Sequence, residues 1–174
     1  MPDTPALGRR LLAEFLGTGL LVAVVIGSGI AAQRLSPGDT GLQLLQNSLT
    51  TVLGLGVLIL VFGPVSGAHF NPVVSAVDWV LGRRRGAGLS GRDVGAYMAA
   101  QVLGGIAGAV LANLMFALPA VTVSTTGRSG LGLWIGEVVA TAGLIVVILA
   151  LARTGRAGLS AAAVASGSSS CQSR

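Results

Sequence analysis

From Thr40 to Val77 the chain runs 38 residues without a formal charge, and its only histidine, His69, stands inside that run, two residues before an Asn71-Pro72 pair. A helix or sheet drawn from such a stretch has no charged face to turn toward water. The rest of the chain is similarly poor in charge: 10% of the 174 residues are charged and 52% are hydrophobic, where soluble domains carry roughly 25% charged residues. A chain this short of charge cannot cover a water-facing surface. The expected solvent is a bilayer, and the expected fold class is an all-α membrane protein.

Four apolar segments are long enough to span: Leu11–Ala32, Leu42–Phe62, Val94–Phe116 and Leu131–Ala152. The first, after Arg9-Arg10, resembles a secretory signal in outline, but a signal core is only about 7–15 residues. Leu11–Ala32 has 22 residues, enough for a hydrocarbon core of roughly 30 Å, so it is read as a retained span. All eleven basic residues are arginine. With the N-terminus in the cytoplasm, Arg9, Arg10, Arg83, Arg84, Arg85, Arg92, Arg153, Arg156 and Arg174 lie inside and only Arg34 and Arg128 outside. That positive-inside bias predicts a plasma (cytoplasmic) membrane protein with both termini in the cytoplasm.

The segment between the second and third spans is unusual. Leu42–Phe62 delivers the chain to the cytoplasmic side, and Arg83–Arg85 is cytoplasmic too, yet Pro64–Leu81 between them is apolar and too short to cross twice. A re-entrant segment fits: extended chain in, short helix out. Gly63, Pro64, Ser66 and Gly67 are expected to break the helix before Asn71. Asn71 is a favoured N-cap and Pro72 a favoured first helical residue. Pro72 to Leu81 measures roughly 15 Å as helix, about half the hydrocarbon thickness, which places Asn71 near the midplane. Non-helical backbone at that depth is tolerated where it is buried in protein or lines a wet cavity. The plainer alternative is that Asn71-Pro72 caps a cytoplasmic surface helix.

"AEFLGTGLLV" (Ala13–Val22) and "GEVVATAGLIV" (Gly136–Val146) share a pattern of Glu, two apolar residues, a small residue, Thr, a small residue and an aliphatic run. Glu14 and Glu137 open spans that run in opposite directions, as in an inverted repeat. Both are read as buried acids that accept hydrogen bonds from loop N–H groups, with proton transfer and interfacial snorkelling as the other readings. Gly104-x-x-x-Gly108 suits close helix crossing, and Gln101 is expected to bond across helices. Gly54 and Gly56 serve packing in the second span. Few aromatics and arginines that flank apolar runs argue against nucleic acid. Cys171 is the only cysteine and excludes a disulfide within one chain. His69 has no ligand or nucleophile cluster around it in the sequence, so neither an enzyme, a metal nor a cofactor is expected.

"AEFLGTGLLV", "GPVSGAHFNPVVS", "AYMAAQVLGGIAGA" and "GEVVATAGLIVVILAL", in this order, resemble the major intrinsic protein family of aquaporins and glycerol facilitators over about residues 9–165. The resemblance implies an aquaporin-like inverted-repeat helical bundle, here about four transmembrane helices plus one re-entrant half-helix. It divides the chain into a channel domain 1–165, with a first repeat 11–116 and an incomplete second repeat 131–165, and a polar tail 166–174. It implies a passive channel for water or small uncharged solutes, such as glycerol-like polyols or neutral metalloid acids, assembled as a tetramer in the lipid bilayer. In that channel the Asn71 amide would donate to a permeant oxygen, the carbonyls of Gly67, Ala68 and His69 would accept, Pro72 would start the half-helix, and the helix dipole would disfavour cations. A non-conducting membrane subunit and a proton-coupled transporter are the competing functions.

The sequence departs from the family pattern in four places. Val73 stands where Ala is usual, Ser75 where Thr is usual, and Thr51 where water-selective members often carry an aromatic. Asp78, on the half-helix, is expected to pair with nearby arginines. Last, the 123-residue offset between Glu14 and Glu137 puts a counterpart of Asn71 near position 194, beyond Arg174. "RTGRAGLSAAAVA" (Arg153–Ala165) looks like the approach to a fifth helix. The expectation is a chain truncated after its fourth span, with the family fold locally but incomplete as a channel on its own.

Overall fold

The computed structural model describes residues 5–84, 86, 88–121 and 130–153. The described residues form five helices: α1 (Leu7–Leu35), α2 (Thr40–Ser66), α3 (Pro72–Arg83), α4 (Gly91–Met115) and α5 (Leu131–Arg153). There is no strand among them. Three helices, α1, α2 and α4, are long and apolar enough to cross a membrane. With 29, 27 and 25 residues they measure about 44, 40 and 38 Å. α5 fills the fourth expected segment with 23 residues. The stretch 154–165, expected to approach a fifth helix, and the expected tail 166–174 lie outside the described residues.

Side-chain caps start three of the helices. The Asp39 carboxylate accepts from Leu42 N at 2.8 Å, the Asn71 side chain from Val73 N at 2.8 Å and the Ser90 hydroxyl from Asp93 N at 3.1 Å. Each satisfies one of the orphan donors of a helix start. The end of α2 differs from expectation. Gly63 and Pro64 do not break it. The helix continues through Ser66 and stops at Gly67, whose φ of 89° is left-handed and whose N–H bonds the Gly63 carbonyl at 2.9 Å. Pro64 removes a single bond in the last full turn, and Gly67 supplies the conformation that a helix end of this kind requires. The non-helical backbone is thereby confined to Gly67–Asn71.

α1 packs against both α4 and α2, and α3 packs on α4. The α1/α4 crossing is backbone on backbone. A Cβ on Gly104 would strike the Phe15 carbonyl, and one on Gly108 would strike the Gly19 carbonyl. Small residues at these positions let the two axes approach. At one end Arg34 donates to the Phe116 carbonyl at 2.8 Å and covers its ring at 5.2 Å. At the other, Leu89, Val94 and Tyr97 form a buried cluster, joined by Leu11 and Trp79.

Burial runs opposite to that of a water-soluble bundle. Glu14, Thr18, Ser66, Ser75 and Gln101 are buried, while Leu12, Leu16, Leu20, Leu45, Leu49, Leu53, Leu60, Leu103 and Ile106 are exposed. Polar groups inside and leucines outside are stable where the surroundings are hydrocarbon. The pattern is that of a multi-pass membrane protein.

Two residues lie in surroundings other than those expected. Glu137 is exposed on α5, which has no substantial packing partner among the described elements. Asp78 makes no ion pair with the described arginines, and Arg85 lies outside the described residues. The Asp78 carboxylate accepts from Leu89 N at 2.9 Å, since the α3–α4 turn brings that backbone donor to it.

Candidate functional site

The site is built around Glu14. Its position on α1, one turn after Arg10, faces α4 where Tyr97 and Gln101 are likewise one turn apart, so the two pairs meet as rungs. Arg10 Nε donates to the Tyr97 hydroxyl at 2.9 Å, and Gln101 Nε2 donates to Glu14 Oε2 at 2.8 Å. Glu14 is 0% exposed, and a buried carboxylate is costly unless it is hydrogen-bonded. Its oxygens accept at each of four contacts. Oε1 takes the Ser66 hydroxyl at 2.6 Å and His69 N at 3.0 Å; Oε2 takes Phe70 N at 2.8 Å and the Gln101 amide. An ionised carboxylate has about four acceptor sites, so this donor set fills it.

The loop that Glu14 holds is strained. Ala68 and Phe70 have φ of 51° and 48° beside Gly67 at 89°. A non-glycine residue there costs on the order of 1 kcal/mol or more. Hydrogen bonds and packing fix the shape. Ala68 N donates to the Ser66 hydroxyl at 3.1 Å, His69 N and Phe70 N to Glu14. The Phe70 ring lies against Gly17, where a Cβ would collide with it, and meets Phe62 edge-on at 6.1 Å. With the N–H groups turned to Glu14 and Ser66, the carbonyls of Gly67, Ala68 and His69 have no donor among the described residues.

The loop ends at Asn71, extended at φ −151° and ψ 124°, with Pro72 opening α3. The Asn71 side-chain oxygen caps Val73 N. Its amide has no acceptor among the described residues and remains a donor. Val73 is exposed on the first turn. The His69 ring is held beside Tyr97, with centroids 5.5 Å apart. Its Nδ1 lies 3.0 Å from the Ser75 hydroxyl, which also accepts from Gln101 Nε2 at 2.9 Å. Tyr97 donates to the Ser66 carbonyl at 3.0 Å, satisfying an orphan acceptor at the end of α2. Thr51 stands about 22 Å along α2 from Ser66, its hydroxyl enclosed without a partner.

The structure thus brings Glu14, Gln101 and the Gly67–Asn71 loop into one network and leaves Glu137 outside it. Gly104 and Gly108 set the helix approach beneath it. Four members escaped sequence reasoning: Arg10, Ser66, Ser75 and Tyr97. The one-turn spacings Arg10/Glu14 and Tyr97/Gln101 carried a signal for two of them. No group of three His, Cys, Asp or Glu side chains among the described residues could hold a metal.

The chain resembles known proteins in sequence and in fold. The chain is 51% identical over 144 residues to an aquaglyceroporin, AqpS, of Rhizobium meliloti (strain 1021), covering 83% of this chain and 59% of that one. It is 36% identical over 116 residues to the glycerol uptake facilitator protein of Pseudomonas aeruginosa, covering 65% and 38%. It is 40% identical over 106 residues to aquaporin-2 of Rattus norvegicus, covering 61% and 35%. The chain therefore spans three fifths or less of the length of these relatives. The X-ray structure of the aquaglyceroporin from Plasmodium falciparum superposes with a TM-score of 0.75 at 22% identity, over 96% of this chain and 72% of that one, which establishes a shared fold. Residues 2–171 match the Major intrinsic protein family. With the carboxylate-held loop, the Asn-Pro half-helix and the glycine crossing, that match makes the chain a member of the major intrinsic protein family.

Proposed function

We propose that this chain provides a pore wall of a passive membrane channel for water and small uncharged solutes. The observation that carries the reading is the Gly67–Asn71 loop. Its N–H groups at Ala68, His69 and Phe70 are engaged inward, its carbonyls at Gly67, Ala68 and His69 are left open, and the Asn71 amide remains a donor beyond them. A row of acceptors followed by a donor can replace the hydration of a polyol or a water file, and no bond is made or broken. The N-terminus of α3 brings a positive dipole end to the same point, which disfavours cations and protons. Relatives named as an aquaglyceroporin and a glycerol uptake facilitator support glycerol-sized solutes, and Thr51 in place of an aromatic is in keeping with them. The arginine bias supports a cytoplasmic membrane with both termini inside. Family membership supports a tetramer.

The described residues carry one half-helix, and in this reading the opposing pore wall is formed by residues outside them. Two preparations test this. The 174-residue chain in liposomes should shrink under osmotic stress no faster than empty vesicles. A chimera should conduct water and glycerol, with residues 1–153 replacing the matching stretch of the Rhizobium meliloti relative, and Asn71→Asp should abolish that flux. Uptake should ignore an imposed pH gradient. An inserted, helical chimera that does not conduct would reject the channel reading. Conduction by the 174-residue chain alone would reject the need for a second wall.

A further inference from the structure

A basic surface lies where the start of α1, the end of α3 and the start of α4 meet. Leu11 and Trp79 pack on the cluster Leu89, Val94 and Tyr97 and tie these elements together. Arg83, Arg84 and Arg92 are exposed at this end. The acids nearby are already engaged: Asp93 pairs with Arg10 at 3.6 Å and Asp78 holds Leu89 N. None of the three exposed arginines has a carboxylate partner among the described residues. Arg83 is nonetheless held in place, its guanidinium 5.1 Å over the Trp79 ring. The edge of the same indole lies against the first residue of α4, where a Cβ on Gly91 would stand 3.4 Å from its Nε1. Trp79 thus carries Arg83 on its face and the residue before Arg92 at its edge. Tryptophan favours the headgroup level of a bilayer. A positive-inside bias explains cations on this side; it does not explain one guanidinium held over an indole with two further exposed arginines at the adjoining helix ends.

We propose that Arg83, held over Trp79, and the exposed Arg84 and Arg92 at the same end bind the headgroup of an anionic phospholipid. Guanidinium groups recognise phosphate oxygens bidentately. The exposed Val80 on the same helix continues the surface toward the acyl chain. A zwitterionic lipid carries its own ammonium and is the weaker ligand.

The test uses the 174-residue chain in detergent micelles with short-chain phosphatidylglycerol or phosphatidylcholine, and bound lipid is read by native mass spectrometry at low salt. Phosphatidylglycerol should be retained and phosphatidylcholine not. Each Arg→Gln change at 83, 84 or 92 should weaken retention about fivefold, and the triple variant should abolish it. The lipid-free melting midpoint should not move in the single variants, because these side chains are exposed. Equal retention of the two lipids, or unchanged retention in the single and triple variants, overturns the site. Displacement of phosphatidylglycerol by millimolar glycerol 3-phosphate also overturns it, since the pocket would then serve a soluble phosphate.

Discussion

Glu14 holds the loop through four donors that come from α2, the loop itself and α4, between 52 and 87 residues away in sequence. Glu14→Gln keeps the size of the side chain and exchanges one acceptor oxygen for an amide. If that amide replaces Oε2, it meets the Phe70 N–H and the Gln101 amide donor to donor. Buried donors left unmet cost about 1–3 kcal/mol each in water-soluble proteins, and helix–helix hydrogen bonds in membranes average less. The expected loss is about 2–4 kcal/mol, read as a lowered midpoint of unfolding in mixed micelles. An unchanged midpoint would mean that the strained loop is held by Phe70 packing alone. The short-range parts of this site were legible in the residues: an Asn-Pro pair opens α3 because cap and first-turn preferences are local. The Ser66 and Tyr97 contacts were not, because each depends on which side chain a second helix brings within 3 Å.

At the scale of elements, α1 and α4 meet along glycines that differ in what surrounds them. A Cβ on Gly108 would meet main chain at Gly19, which no rotamer change relieves, whereas a Cβ on Gly95 meets nothing within 4 Å. Gly108→Ala is expected to destabilise by about 1–3 kcal/mol, the usual cost of overpacking. Gly95→Ala, on the same helix, should be neutral or stabilise by up to about 1 kcal/mol through helix propensity. Thermal unfolding of the two variants side by side decides the matter: equal effects would show that propensity, not the crossing, governs these glycines. The glycine spacing was visible in the sequence as a pattern, but only the crossing distinguishes a glycine that must stay from one that need not. Pro64 is the converse case. Local preference ends the helix there, while α2 runs on for two residues because Gly67 offers a better terminus and Tyr97 takes the Ser66 carbonyl.

For the whole molecule, a buried polar network inside an apolar shell requires hydrocarbon around it, and the arginine bias predicts an orientation with the N-terminus in the cytoplasm. Pro37 and Arg9 are exposed near opposite ends of α1. In a Cys171→Ser background, Pro37→Cys should react with an impermeant maleimide from the outside of intact cells and Arg9→Cys only after permeabilisation. The reverse labelling would invert the topology. The amino-acid sequence alone determined the helical class, the apolar segments and the start of the half-helix, because hydrophobic length, charge and capping act over a few neighbouring residues. Only the tertiary structure decided that α2 passes Pro64, that the Asp78 carboxylate takes the Leu89 amide, that Glu137 is exposed on α5 among the described residues, and that Arg10, Ser66, Ser75 and Tyr97 join Glu14. Those outcomes turn on contacts between residues far apart in the chain, and such contacts exist only once the helices have chosen how to cross.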